Sequence, residues 1–251
     1  MSEKELFRVA GVDGCKAGWC AAIVRAVGKG GRGHADCVLE LKSLFVASTF
    51  RHVLARTEDC ALVCVDIPIG LSEGQAAREC DTAARRLLAG RRASSVFPVP
   101  VGPCLSADDY ETASAISLEH TGRKLSRQSF GLLKKIREVD ALLTPELQQR
   151  VREIHPEVSF CVLNRNRPLG HSKRTTGGQA HRRRLLRKVI VGVDAMLTRM
   201  QEPGSATDDA LDAIVAAWTA ARTVCGSAAT LPGNPGRDSR GLTMEILCPT
   251  A

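Results

Sequence analysis

The sequence predicts an α/β protein built on a mixed sheet with helices on its faces. Two observations carry that prediction. Residues 7–41 hold three apolar runs in succession, which read as an antiparallel meander, and Ala61–Asp66 is a continuous apolar run of the kind a strand covered on both faces shows. The segments after residue 70 read mainly as helices, so strands and helices mix without regular alternation.

Phe7–Val12 leads into Asp13-Gly14, and Trp19–Val27 follows. Gly28–Gly33 then matches G-x-G-x-x-G, but a dinucleotide site needs a helix after those glycines. Ala35–Leu41 reads instead as a strand, which makes the glycines a hairpin tip. Leu44, Phe45, Val53 and Leu54 fit a helix over 42–56. Ile67-Pro68 closes the strand 61–66, because proline cannot donate to a ladder. Helices are expected over 76–89, 108–121, 126–143 and 145–150, the last opened by a Thr144 cap and Pro145 at its first position. Val151–His155 reads as a strand and Pro156 to about Leu163 as a helix. A polar loop occupies 164–178, a long basic helix Gln179–Met200, an alanine-rich helix Asp208–Arg222 and a late strand Leu242–Leu247. No repeat or long linker divides the chain, so residues 1–251 are expected to form one domain with a helical insertion at about 71–150.

Composition narrows the class. The chain has 251 residues, 44% of them apolar and 25% charged, which excludes a disordered chain. No apolar run approaches the roughly 18 residues of a membrane span, and the first residues lack an apolar secretory core, so no membrane partner and a cytoplasmic location are expected. The ten cysteines include no C-x-x-C pair, and Cys60, Cys64 and Cys161 sit in apolar runs, so they read as small buried hydrophobes rather than zinc ligands. Residues 123–200 carry 18 Lys/Arg against 6 Asp/Glu, while the rest of the chain is net negative. Clustered cations suit a phosphate backbone, although a solvated cationic helix surface gives the same count.

Three acidic features stand in apolar surroundings. Asp13 and Asp66 each end an apolar strand, where an Asp can be a simple turn former but where α/β sheets also gather their ligands. In Thr207-Asp208-Asp209-Ala-Leu-Asp212, Thr207 or Asp208 can cap the helix. Asp209 and Asp212 share one face at i, i+3, and Ala213, Ala216 and Ala220 continue that face, allowing close approach to another element. Carboxylates brought together repel unless a cation lies between them, and hard divalent ions prefer such oxygen ligands.

Gly11-Val-Asp13-Gly-Cys-Lys-Ala-Gly-Trp19, Val65-Asp66-Ile-Pro-Ile-Gly70, Cys80–Arg85, Ser94–Pro98, His155-Pro-Glu157, Ser172–Thr175 and Asp208–Ala213 together resemble the domain-of-unknown-function 429 family, across nearly the whole chain. That family is grouped with predicted ribonuclease H-like nucleases. The resemblance implies a five-stranded mixed sheet in order 3-2-1-4-5. It also implies a divalent ion, Mg2+ or Mn2+, held by Asp13 and Asp66 together with Asp209 and Asp212, which resemble the paired acids of Holliday-junction resolvases. Two departures stand out: Asp66 lies where the resolvases carry Glu, and the helical insertion follows it.

Glu157 is a further candidate, as a ligand or water-orienting base, though Pro156-Glu157 equally suits a helix start. His155 could act as general acid or base. Arg78, Asp81 and Arg85 share a helical face and read as an exposed ion-pair ladder. Arg91, Lys134, Lys173, Arg182 and Arg183 are candidate phosphate contacts. The expected activity is metal-dependent hydrolysis of phosphodiester bonds in nucleic acid. Its rivals are an actin-like ATP hydrolase, which shares the core fold, and a non-enzymatic nucleic-acid binder.

Overall fold

The computed structural model describes residues 4–28, 37–74, 77–200 and 206–250. The glycine-rich tip at 29–33 lies outside them, as does the side chain of Arg91. Strands β1 (Lys4–Cys15), β2 (Gly18–Gly28) and β3 (Cys37–Ala47) form the antiparallel meander. β4 (Leu62–Asp66) runs parallel to β1, and β5 (Val151–Glu153) parallel to β4. The five strands stand in the order β3-β2-β1-β4-β5, the mixed ribonuclease H-like order that the resemblance implies.

Alternation along the central strands assigns the two faces. Ala10 and Val12 of β1 with Val63 and Val65 of β4 pack against α1 (Phe50–Arg56) and α4 (Arg127–Asp140). Val9, Leu62 and Cys64 belong to the opposite layer, dominated by α9 (Thr207–Val224) with α6 (Pro156–Leu163) and α7 (Thr176–Leu186). Asp13 and Asp66 fall on this second face by the same alternation. α9 is buried on nearly every side from Ala210 to Ala221, as its alanine-rich sequence requires. It lies so close to β1 that a Cβ on Gly11 would sit 2.0 Å from the Ala217 nitrogen and 2.1 Å from the Ala213 carbonyl oxygen. Glycine at position 11 and the small face of α9 therefore set the depth at which the helix seats.

Between β4 and β5 the chain passes through α2 (Glu79–Leu88), α3 (Tyr110–Thr121), α4 and α5 (Pro145–Gln148), with short 3-10 turns at Gly90–Ser95 and Gly102–Ser106. This stretch holds a small core of its own, made by Val101, Cys104, Ala107, Ala113, Leu125 and Leu133. Cys60, Cys64 and Cys161 are buried.

The structure differs from the sequence expectations at three elements. Residues 42–47 extend β3 rather than open a helix, since Ser43, Leu44, Phe45 and Ala47 continue the pairing with β2, and Thr49 caps a shorter α1. The long basic helix is two helices, α7 and α8 (Val193–Arg199). α7 ends at Leu186 and α8 starts after Gly192, whose φ of +89° favours glycine, and between them Val191 exchanges backbone hydrogen bonds with Leu39 and Leu41 on the edge of β3. The late strand β7 (Ile246–Pro249) begins further on than expected and pairs with β6 (Ala228–Leu231), which the sequence did not announce.

Candidate functional site

Asp13 and Asp66 are direct partners across the parallel β1–β4 pair, at the C-terminal ends of both strands. Neighbouring strands lie about 4.8 Å apart, and partners in register present their side chains to the same face. α9 crosses that face at Gly11, two residues before Asp13, and carries Asp212 and Asp209 one turn and two turns ahead of Ala216. Asp13, Asp66, Asp208, Asp209 and Asp212 consequently line one cleft of about 560 Å³.

Burial makes these carboxylates unusual. Asp13 is 6% exposed, and burial followed by the charges of Asp66 and Asp212 holds its pKa well above the carboxylate range. Asp66 is raised by burial, against the opposing pull of His155 and Lys173. Asp209 is raised by burial and lowered by the Ala206 N–H that donates to it at 3.1 Å. Asp212 is pushed up to about 7 by burial, with Lys173 acting the other way. Lys173 donates to Asp212 Oδ2 at 2.6 Å. Although burial lowers its pKa, Asp212 and then Asp13 raise it further, so it stays charged.

Among the described residues no three His, Cys, Asp or Glu side chains stand together as a ready cage for a metal ion. The donors nevertheless suit a hard cation. Asp212 Oδ1 is buried without a partner. Carboxyls buried in this condition hold a proton unless positive charge is supplied, and a hard cation favours their anionic form.

Residues of the helical insertion and of the loops beside it line the same cleft. Gln128, Gly131, Leu132 and Lys135 line the cleft as an i, i+3, i+4, i+7 stripe of α4. The Lys135 ammonium is fixed by the Gly18 carbonyl and lies 4.6 Å from the Trp19 ring centre. Arg92, anchored on the Leu169 carbonyl at 2.6 Å, and the exposed Arg174 add positive charge. Arg85 donates to the Val96 and Phe97 carbonyls, which shapes the loop whose Ser95 and Phe97 also line the cleft. His155 Nε2 lies 3.4 Å from the Ser95 carbonyl, while its Nδ1 is buried without a partner.

Several expected site residues sit elsewhere or play other parts. Arg182 is not available to phosphate: it is fully buried and ion-paired with Glu157, with Arg182 Nε and Glu157 Oε2 left unpartnered. Glu157 does line the cleft, but as half of that pair. Arg183 pairs with Asp194 on α8, away from the acids. Lys134 is exposed and does not line the cleft, which Lys135 reaches instead. The cap of α9 is Ala206 rather than Thr207 or Asp208, and Asp209 satisfies its backbone N–H. Arg78 and Asp81 are not an exposed ladder: both are buried, and Arg78 also binds Glu153. Lys135, Arg92 and Arg174 were not singled out from sequence. For Lys135 the signal was helical phase, since positions 128, 131, 132 and 135 fall on one stripe at i, i+3, i+4 and i+7.

A mixed five-stranded sheet in the order β3-β2-β1-β4-β5, with acids at the ends of β1 and β4 and on α9, defines the architecture of the site. A family model described as "Protein of unknown function (DUF429)" matches residues 11–237, and the chain belongs to that family. A structure search finds similarity to a chain titled "Thermus thermophilus RuvC structure", 13% identical, with 87% of this chain and 96% of that chain covered and a TM-score of 0.34. No curated protein matches.

Proposed function

We propose that the protein is a nuclease that hydrolyses phosphodiester bonds of nucleic acid with Mg2+ or Mn2+. The observation that carries the proposal is the convergence of Asp13, Asp66, Asp209 and Asp212, from two adjacent strand ends and one deeply seated helix, on one cleft. Asp13, Asp66 and Asp209 would hold the ion, with Asp212 completing the acid group. A bound divalent ion supplies an activated water and charge stabilisation at phosphorus. The chain's own residues hold the anionic substrate. Lys135, Arg92 and Arg174 line the same cleft as the acids, so a phosphodiester entering it would meet cations as well as carboxylates. His155, which lines the cleft and acts on Asp66, would exchange a proton with a leaving or attacking oxygen if its Nε2 leaves the Ser95 carbonyl.

The test is a panel of single-stranded, duplex, hybrid and branched DNA and RNA, incubated with and without each metal. Cleavage of at least one substrate only when Mg2+ or Mn2+ is present, and its loss in Asp13→Asn, is expected. An intact panel under both metals overturns the reading. Metal-dependent ATP hydrolysis in that preparation would favour the actin-like alternative, and tight binding without turnover the non-enzymatic one.

A further inference from the structure

The acids of the cleft are not equally free to bind an ion. Asp212 has a side chain 1% exposed and already holds the ammonium of Lys173 at 2.6 Å. The backbone that delivers this lysine is tightly fixed. The Ser172 carbonyl accepts from the Thr175 N–H at 3.1 Å and from the Thr175 hydroxyl at 2.9 Å. That hydroxyl accepts in turn from the Gly178 N–H, capping α7. Gly178 lies so close that a Cβ there would stand 1.8 Å from the Ser172 oxygen. α7 itself is locked to α6 by the buried Arg182–Glu157 pair, and Arg182 also donates to the His171 carbonyl at 3.3 Å. Lys173 is thus held over the acids by a chain of contacts that ends in a buried ion pair, and the charges of Asp13 and Asp66 act on it as well as that of Asp212.

Resting on the nuclease reading above, we propose that Lys173 is a built-in cation that takes the place of one of the two ions an acid cluster of this size could bind. The site then holds a single divalent ion among Asp13, Asp66 and Asp209, and Asp212 seats the lysine instead of ligating metal. A second ion at Asp212 would have to expel a charged amine from a buried carboxylate, and separating such a pair is strongly unfavourable. It would also crowd a second divalent charge against an ammonium whose backbone cannot retreat with the loop. Lys173 is accordingly a positioning residue that acts through the occupancy of the acid cluster.

Manganese titration of the full chain, followed by electron paramagnetic resonance of free Mn2+ and by calorimetry, reads the ion count without requiring turnover. Wild type is expected to bind one ion and Lys173→Met two, the new one at the vacated Asp212. Two ions in wild type, or one in Lys173→Met, overturns the proposal while leaving the nuclease reading intact. No bound ion in wild type overturns both. Should Lys173→Met fail to fold, the charge-balanced pair Lys173→Met with Asp212→Asn decides. It is expected to bind one ion within about tenfold of the wild-type affinity, and loss of that ion would make Asp212 a ligand and overturn the proposal.

Discussion

Two regions of this protein bury charge, and they do so in opposite ways. At the junction of α2 and β5, Arg78 donates to both oxygens of Asp81, to both oxygens of Glu153, and to the Ile69 and Gly70 carbonyls. The Ile69 N–H adds a further bond to Glu153. Across the sheet end, Asp212 is the acid that Lys173 pairs with, and its Oδ1 is left without a partner. Burial is comparable, with Arg78 and Asp81 each 3% exposed, Asp13 6% and Asp212 1%. A satisfied buried network serves the fold, whereas an unsatisfied one lined up on a cleft serves a ligand. Burial of charge alone therefore says little about function here, and the partners decide.

The comparison breaks most visibly at Asp13. Asp13→Asn should lower metal-dependent turnover by orders of magnitude, because it removes an anionic ligand at constant size. Its metal-free melting temperature should stay equal or rise, since an amide suffers neither the desolvation nor the repulsion that raises the Asp13 pKa. A variant that lost activity by melting below the assay temperature would place Asp13 with the structural network instead.

Arg78→Met is the converse case. It leaves Asp81 and Glu153 buried without their cation, so urea unfolding should show a loss of about 3–5 kcal/mol. Arg182→Met should behave alike, since Glu157 loses its partner. A cost below about 1 kcal/mol for Arg78→Met would show that water reaches this network and that the contrast with the acid cluster is one of degree.

Titration reaches both regions, since burial pushes Glu153 of the Arg78 network up to about 7 as well, so the acid cluster is read from its own variant. Asp212 is pushed up to about 7 and Asp13 is raised well above the carboxylate range, so the folded protein binds more protons than the unfolded chain between pH 4 and 7. These groups contribute stability that is complete below about pH 4 and is lost as pH rises through 7. The metal-free protein should therefore lose stability between pH 5 and 8, by more than Asp13→Asn does over the same interval. Added Mg2+ should flatten the wild-type slope, because an ion stabilises the charged forms. Equal slopes for wild type and variant in denaturant titrations at both pH values would contradict the assignment of that instability to the acid cluster.

The sequence made the acids easier to find than their neighbours. Asp13 and Asp66 were legible because each stands where an apolar strand stops, and Asp209 and Asp212 because helical spacing puts them on one face ahead of the alanines. Strand order was implied by the family resemblance and agrees with the structure. Ion-pair partners were not legible. Arg78 and Glu153 meet across 75 residues, and Arg182 and Glu157 across 25, so no local spacing announced either pair. Charge density misled in the same way. The Arg182-Arg-Arg184 run looked like one phosphate-binding patch, but helical geometry points its first member into the core, its second at Asp194 and its third to solvent. β3 ran past its expected end because its pairing with a long β2 outweighed a local helical pattern.

The smallest expected effect separates cations that serve the cleft from those that serve the fold. If nucleic acid enters the cleft, its phosphates meet Lys135 and Arg174, while Arg183 stays engaged with Asp194. Each phosphate contact removed should reduce the slope of log affinity against log salt by about 0.9 on duplex or about 0.7 on a single strand. Arg174→Gln is the cleaner variant, because its side chain is exposed, whereas Lys135 also braces Gly18 and Trp19. Binding measured with Ca2+ in place of Mg2+, across a salt series, should show the shallower slope for Arg174→Gln and an unchanged slope for Arg183→Gln. The reverse result would move the strand off the cleft and onto the α7–α8 surface, and the cations of the cleft would then be answering the carboxylates rather than a phosphate backbone.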